Sequence, residues 1–213
     1  DVCSSALPLW QPWQPEIAAA GPLAIDCRLP SGARLIGRLG DVGEPGLCRV
    51  HPGRLHGRRL LRDWVDYLTV VAARGGGRLR CAGVDREGAL EQRRAEVPAA
   101  DAAAWLDALV GVYREAQRRP LPFLPSLGVD YQVDQDPAAS RRPKDAAAAL
   151  RSRNGYLSNT WRPAWEWRAD PYFRLAAPPP AYLGEDPATS DFCRIAEAVC
   201  GPLVAHLRAE EAA

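Results

Sequence analysis

The hydrophobic period of this chain changes near residue 57, and that change constrains the fold more than any other feature. Apolar residues alternate along 23–29 and 33–40 across a short Pro-Ser-Gly break, which predicts a β-hairpin, and 46–51 follows as a third strand. After residue 57 apolar residues recur at three- and four-residue steps: Leu60, Leu61, Trp64, Val65, Leu68 and Val71. This stripe predicts an amphipathic helix that ends at the glycines 75–77.

The rest of the chain supplies two further strands and then mostly helices. The runs 78–84 and 89–94 predict strands around a turn, and helices are expected over 101–119, 136–154 and 190–213. Leu106, Leu109, Val110 and Tyr113 form one face of the first of these helices. In the last helix Ser190 is the expected N-cap, and Pro202 should kink or split the helix.

These elements predict an α/β (α+β) fold, with a mixed β-sheet flanked by helices. Residues 1–22 are rich in proline and tryptophan and are expected to be an irregular lead-in. Residues 23–208 are expected to form a single domain. Its part 23–95 holds the sheet and the long helix, and its part 96–208 is mostly helical with a Pro/Trp-rich loop.

Charge is distributed unevenly along the chain, although the net charge is only +1. Residues 28–94 contain 14 arginines and 7 acidic residues, whereas the remainder is acidic. This imbalance predicts an electropositive face, unless the arginines are spread around the surface. The six cysteines include no C-x-x-C pair, so free thiols are expected. No signal peptide or long apolar run is seen, which predicts a cytoplasmic protein without membrane contact.

The stretch 47–64 contains five arginines and two of the three histidines. Cys48, His51 and His56 could supply three metal ligands, but a structural zinc site needs four at close paired spacings, so no metal is expected. Neither a nucleophile elbow nor a phosphate-binding glycine loop is present, and no cofactor is expected. Arg54, Arg58 and Arg59 precede or begin a helix, where guanidinium groups and backbone N–H groups favour phosphate. The alternative is an ordinary solvated helix face.

Four segments, taken in order, carry a resemblance to a known family. They are "ARLIGRLGDV…GLCRVHPGRLHGRRLLRDWVDYL", "LVGVYREAQRRPLPFLP", "DPYFRLA" and "FCRIAEAVCGPLVAHL". Together they resemble the C-terminal domain of the gamma subunit of exodeoxyribonuclease V, the RecC family, over residues 23–208. The lead-in carries little of the likeness.

The resemblance implies a non-catalytic part of a bacterial, ATP-driven helicase–nuclease complex that processes broken DNA ends for recombinational repair. It implies a fold like a degenerate restriction-endonuclease-like PD-(D/E)XK nuclease core with an added helical C-terminal part. The implied partners are DNA, as a duplex end or fork, and the beta and alpha subunits of the complex. The domain would bind or guide DNA strands and dock the sister subunits.

The residues allow the loss of catalysis to be checked, given that fold. An active nuclease of this kind needs an aspartate at the end of one strand and an acidic-x-lysine triplet on the next. Gly40 stands at the inferred aspartate position, and Asp41 is one residue further, a step that reverses the face of a regular strand. Arg49 and His51 stand where the acidic residue and the lysine belong, and Lys144, which is the only lysine, is distant. Asp63 and Tyr67 take the places of a glutamine and a tyrosine.

The stretch is therefore interpreted as a former metal centre that now favours phosphate. The predicted DNA-binding residues are Arg49, His51, Arg54, His56, Arg58, Arg59 and Arg62. A second candidate surface for base stacking or docking consists of Trp161, Trp165, Trp167, Tyr172 and Arg174, unless these residues only anchor a proline-rich loop.

Two other hypotheses remain open at this point. The domain could be a purely structural docking domain of the same complex, with no DNA contact of its own. It could also be a nuclease with a migrated metal site, which would need Asp41, Asp63 or Asp66 as ligands.

Overall fold

The computed structural model describes residues 11–84, 87, 89–157 and 186–209. Within these residues six strands form one sheet in the order β1 to β6. The strands are β1 Gly21–Arg28, β2 Arg34–Gly43, β3 Gly46–Val50, β4 Arg78–Val84, β5 Leu90–Glu96 and β6 Arg208–Ala209. Strands β3 and β4 are parallel, and the other neighbours are antiparallel. The predicted mixed sheet is confirmed.

The four predicted helices are present in the predicted order with some changes of bounds, and two further helices were not predicted. A 3₁₀ turn at Gln11–Trp13 leads into a short α1, and the long α2 connects β3 to β4 as the crossover that a parallel pair requires. The α-helices are α1 Gln14–Ala18, α2 Gly57–Arg74, α3 Ala99–Ala116, α4 Pro125–Gln135, α5 Ala146–Leu157 and α6 Asp191–His206. None of the helices in the described part of the chain is long and apolar enough to cross a membrane.

The chain divides into two compact units. The first comprises Asp1–Asp107 and His206–Ala213, and the second comprises Ala108–Ala205. The first unit holds the sheet and α2, with a core that includes the fully buried Trp64, Tyr67, Leu68 and Leu79. The second unit has its own cluster of buried residues: Leu124, Leu127, Tyr131, Ala149, Leu150, Phe192, Cys193 and Ala196.

Helix α2 ends as the sequence predicts. Gly75 adopts a left-handed conformation with φ of 82°, and its N–H donates to the carbonyl of Val71. Glycine is the residue that takes this conformation without steric cost, so the helix stops at this point and β4 can begin at Arg78.

Strand β2 contains a β-bulge that the sequence did not predict. Gly21 of β1 pairs with Val42, but Leu23 already pairs with Leu39, so β2 carries one extra residue between these pairs. Asp41 lies in this bulge with φ of 57°, the left-handed region that non-glycine residues seldom occupy. The prediction that Asp41 faces away from the neighbouring site because of a one-residue offset is wrong, since the bulge removes the regular alternation.

Several other local predictions are corrected. The lead-in is not irregular throughout, because Gln11–Ala18 is helical and Trp13 is only 1% exposed. Helix α4 lies where no helix was predicted. Helix α5 begins at Ala146 rather than at 136, and Tyr113 of α3 is 64% exposed instead of facing a core.

The last helix begins where the sequence predicts but ends early: it stops at His206, and Arg208–Ala209 forms β6 instead of continuing the helix predicted over 190–213. The Ser190 hydroxyl accepts a hydrogen bond from the Cys193 N–H at 3.4 Å, as expected for an N-cap. Helix α6 continues through Pro202, so it is not split. In the described part of the chain Cys27, Cys48, Cys81, Cys193 and Cys200 are free thiols, as predicted.

Candidate nucleic-acid interface

Five charged or ionisable side chains meet between the sheet and α2, and we call them the charged centre. Arg49 lies on β3, His51 follows that strand, and Asp41 lies in the bulge of β2. Asp63 and Asp66 lie on α2, where three-residue spacing places both on one side of the helix. Arg49 lies two residues after the buried Leu47 on β3. The side chains of these two residues therefore point to the same face of the sheet.

Arg49 bridges two carboxylates. Its Nη1 donates to Oδ2 of Asp41 at 3.0 Å, and its Nη2 donates to Oδ2 of Asp66 at 3.4 Å. The Arg49 side chain is only 19% exposed, and that of Asp66 is 23% exposed. Burial raises the pKa of the Asp66 carboxyl above its ordinary value, and the charge of Arg49 offsets only part of that rise.

His51 makes the second pair of the centre. Its Nε2 lies 2.6 Å from Oδ2 of Asp63, whose side chain is 3% exposed. A buried carboxylate is costly unless it is hydrogen-bonded, so this contact is what makes the burial of Asp63 tolerable. The charge of Asp63 also contributes to raising the pKa of the neighbouring Cys81 thiol, after burial, which is the main cause.

The charged centre does not fit the Mg²⁺ ion that a nuclease-like fold would imply. A cation with carboxylate ligands would have to occupy the space where the Arg49 guanidinium now contacts Asp41 and Asp66. Among the described residues no group of three or more His, Cys, Asp or Glu side chains is arranged to hold a metal. The guanidinium of Arg49 therefore takes the place that the ion would need.

Tyr67 has a structural position. Its hydroxyl donates to the carbonyl of Gly77 at 3.1 Å and accepts from the N–H of Val97 at 2.9 Å. Burial raises its pKa to about 12. The tyrosine therefore joins α2 to the segments that flank β4 and β5.

Three arginines beside the charged centre are exposed. Arg54 precedes α2, and Arg58 and Arg62 lie four residues apart on its first turns. In the described part of the chain none of them makes an ion pair. The first turn of α2 contains no acidic residue, so its backbone N–H groups and these guanidinium groups attract anions together.

The loop that carries Arg54 is held in place from two sides. The His51 N–H donates to the carbonyl of Ala82 at 2.9 Å, and the Val84 N–H donates to the carbonyl of Gly53 at 3.2 Å. Arg59 Nη1 donates to the carbonyl of Arg54 at 3.2 Å. Arg59 therefore braces the loop, whereas the side chains of Arg54 and His56 are exposed.

The structure thus separates the seven residues predicted for DNA binding into two groups. Arg49 and His51 point into the charged centre. The other five lie around the start of α2, where Arg54, His56, Arg58 and Arg62 are exposed and the partly buried Arg59 braces the loop. The sequence analysis did not predict that Arg49 pairs with Asp66. The available signal was the two-residue spacing of Leu47 and Arg49, which places both side chains on the face that α2 covers. The second predicted surface, with Trp161, Trp165, Trp167, Tyr172 and Arg174, lies outside the described residues.

The described residues define an α/β domain with a mixed six-stranded sheet, whose candidate site combines paired carboxylates with an arginine-rich helix start. The family model of the RecC C-terminal domain matches residues 1–135, which is more than half of the chain. The chain therefore belongs to the RecC C-terminal domain family. Membership implies a part in a RecBCD-type exonuclease V complex, in the context of DNA repair and recombination. No curated protein matches the chain.

Proposed function

We propose that this chain is a non-catalytic DNA-guiding and subunit-docking domain of exonuclease V. The observation that carries the proposal is the exposed set Arg54, Arg58 and Arg62 at the start of α2, which has no ion-pair partner within the described residues. Guanidinium groups at a helix N-terminus suit phosphate oxygens, and such contacts are independent of base sequence. A guiding surface needs this kind of contact.

The absence of catalysis is the second part of the proposal. Three antiparallel strands, a long helix and a parallel β4 are consistent with a degenerate PD-(D/E)XK nuclease core. Within such a core Arg49 and His51 would take the positions of the acidic residue and the lysine. An arginine beside Asp41 and Asp66 repels a divalent cation, which supports a domain without cleavage activity.

We propose that only some of the seven predicted residues contact DNA directly. Arg49 and His51 are engaged with carboxylates, and a phosphate would have to compete with those contacts. We therefore assign direct contact to Arg54, His56, Arg58 and Arg62, and we assign the positioning of the loop to Arg59. Trp161, Trp165, Trp167, Tyr172 and Arg174 are proposed on sequence grounds alone as a stacking or docking surface.

The proposal is tested by the salt dependence of DNA binding. The variant R58Q/R62Q removes two exposed arginines spaced four residues apart, and R114Q/R118Q removes two exposed arginines at the same spacing near the end of α3. Fluorescence anisotropy with a forked DNA should give a log–log salt slope about two units shallower for R58Q/R62Q only. The DNA should remain intact in the presence of Mg²⁺.

Equal slopes for both variants and the unmodified chain would remove the start of α2 from the DNA surface. Cleavage that depends on Mg²⁺ and disappears in D41N or D66N would overturn the non-catalytic part of the proposal.

Pure docking without DNA contact is the second candidate. The observation in its favour is the exposure of two large apolar side chains, Ile36 at 71% and Tyr113 at 64%. Tyrosine in particular is common among the residues that contribute most to protein interfaces. In that case I36D or Y113D should abolish co-purification with the beta and alpha subunits, and the chain should show no salt-sensitive DNA binding.

A further inference from the structure

Strand β1 forms one edge of the sheet along its whole length. Among the described residues it pairs with β2 alone, from Gly21 to Arg28. The other edge of the sheet is partly covered, because β6 pairs with β5 at Arg93 and Arg94. Native proteins seldom leave a long edge open, since its backbone groups can pair with another chain. The edge of β1 is therefore a candidate for the addition of a strand.

The hydrogen-bond register shows which backbone groups of β1 point away from the sheet. The Leu29 N–H donates to the carbonyl of Ala33 at 2.8 Å across the turn between β1 and β2. In an antiparallel pair, residues that exchange hydrogen bonds alternate with residues that do not. Every second residue before Leu29 therefore bonds to β2. The residues between them direct their N–H and C=O groups outward, and we call these groups the open edge: Ala24, Asp26 and Arg28.

The two faces of β1 beside the open edge differ in polarity. On one face Ile25 is 4% exposed, and Leu23 and Cys27 are half-buried. On the other face the side chains of the open-edge residues are exposed to solvent. A strand added to β1 would place alternate side chains on these two faces. An apolar side chain on the first face would cover what remains exposed of Leu23 and Cys27.

The exposed face carries an unbalanced positive charge at one end of the open edge. Arg34 of β2 donates to both carboxylate oxygens of Asp26 at 2.6 Å, so the charge of Asp26 is already matched. Arg28 makes no ion pair among the described residues and lies directly opposite Arg34. Like charges directly opposite each other on two strands are unfavourable. A carboxylate beside Arg28 would relieve that repulsion.

Pro22 sets the limit of the open edge at the start of β1. Position 22 belongs to the outward-pointing set, and proline has no N–H to offer there. Proline is found in edge strands where the missing N–H faces solvent, which agrees with the register derived from Leu29. An added strand would therefore pair over 24–28, which is an ordinary strand length.

We propose that the open edge of β1 receives an extended segment of a partner protein, which joins the sheet as a further strand. The segment carries apolar residues on the side of Leu23 and Cys27, and acidic residues on the side of Arg28. Backbone hydrogen bonds supply the affinity of such a complex, and alternate side chains supply its specificity. The inference rests on the docking part of the proposed function and names the kind of segment that docks.

The decisive variant is A24P. Its proline removes an outward N–H and places its ring where an added strand would lie, while the hydrogen bonds between β1 and β2 remain. A24V is the matched control, because valine keeps the N–H and favours a strand. A second pair of variants tests the charge: R28E reverses the charge at the open edge, and R141E reverses that of an exposed arginine in the second unit.

The first probe is a short fluorescent peptide that alternates valine and glutamate, and its companion alternates valine and lysine. Anisotropy titrations with the full 213-residue chain should show tighter binding of the glutamate peptide. A24P and R28E should each raise the Kd of that peptide by about tenfold, whereas A24V and R141E should leave it unchanged. Amide exchange by NMR should be fast at Ala24, Asp26 and Arg28 in the free chain and slow in the complex.

The second probe is the pair of beta and alpha subunits of exonuclease V, mixed with the same variants. Weaker binding of a subunit to A24P, with unchanged binding to A24V, supports the proposal and identifies the partner. Equal binding of the subunits to the unmodified chain and A24P, together with peptide binding that A24P does not weaken, overturns the proposal while docking stands. Peptide binding at the open edge without binding of either subunit supports the edge and refutes docking to these subunits.

Other outcomes would also overturn the proposal. Slow exchange at the three outward amides in the free chain would show that the edge is already covered. A dimer of the unmodified chain that A24P dissociates, measured by sedimentation, would assign the edge to a second copy. If A24P does not fold, R28E decides: a preference for the glutamate peptide that survives R28E refutes the proposal, and its loss in R28E but not in R141E supports it.

Discussion

At the scale of single residues, the backbone of Gly46 closely approaches that of Arg78 where β3 meets β4. Gly46 has φ of 131°, and a Cβ at this position would lie 2.1 Å from the carbonyl oxygen of Arg78. The Arg78 N–H also donates to the carbonyl of Pro45 at 2.9 Å, so this hydrogen bond holds the starts of β3 and β4 together. Only a residue without a side chain fits at position 46.

We therefore expect G46A to lower the free energy of unfolding by about 2–4 kcal/mol, through backbone strain and separation of β3 from β4. Urea denaturation measures the change. Gly37 of β2 provides the matched control, since a Cβ there meets nothing within 4 Å. Equal stability of G46A and G37A would show that the close approach relaxes without cost.

Some residue positions of the charged centre can be predicted from the sequence, and some contacts between them cannot. The sequence predicts that Arg49 lies on the third strand and His51 at its end, and the structure places them there. The pairing of Arg49 with Asp41 was not predictable, because it depends on a bulge in which an aspartate takes the left-handed conformation. Local alternation predicts a face only while the strand remains regular.

At the scale of elements, four charged residues of the second unit connect the end of α3 with the start of α6. Arg119 Nη1 donates to Asp191 at 2.6 Å and its Nη2 donates to Glu115, and Arg194 donates to Glu115 at 2.9 Å and to Asp191 at 3.0 Å. Hydrogen bonds from Arg119 are the main cause of the lowered pKa values of Glu115 and Asp191. Both carboxylates are therefore held in their charged form.

This network makes the second unit sensitive to acid. A carboxyl with a lowered pKa in the folded state stabilises the fold above its pKa in the unfolded chain, and that contribution is lost as the pH falls through the folded value. R119Q should therefore reduce the loss of stability below pH about 4, the ordinary pKa range of Asp and Glu. R118Q, a neighbouring exposed arginine, should keep the acid sensitivity of the unmodified chain in thermal unfolding across that pH range.

The elements also differ in how well the sequence predicts them. Helix α2 was predicted because six apolar residues mark one stripe and three glycines end it. Helix α4 was missed because Pro125 opens it directly after a proline-rich run, and its eleven residues show no single apolar face. Its buried residues include the consecutive Leu127, Gly128 and Val129, which lie on different sides of the helix, so tertiary packing, rather than local period, determines this helix.

At the scale of the whole molecule, each of the two units has its own buried core. Leu79 is fully buried in the sheet of the first unit, and Leu150 is 1% exposed in the cluster of the second. We expect L79A and L150A each to cost about 2–5 kcal/mol, because each leaves a cavity. Hydrogen exchange should show that L150A lowers protection mainly in α4, α5 and α6, and that L79A lowers it mainly in the strands. Loss of protection in the same amides for both variants would contradict separate cores.

The pairing of β6 with β5 has a consequence for the order in which the chain acquires its structure. Arg208 and Ala209 add to the edge of β5, and His206 packs its ring against Trp105 and Trp64 with centroids 5.0 and 6.5 Å apart. All of the second unit lies in sequence between β5 and this pairing. During translation more than a hundred residues must therefore be synthesised after β5 before β6 can pair with its edge, and the ribosome completes the first unit after the second.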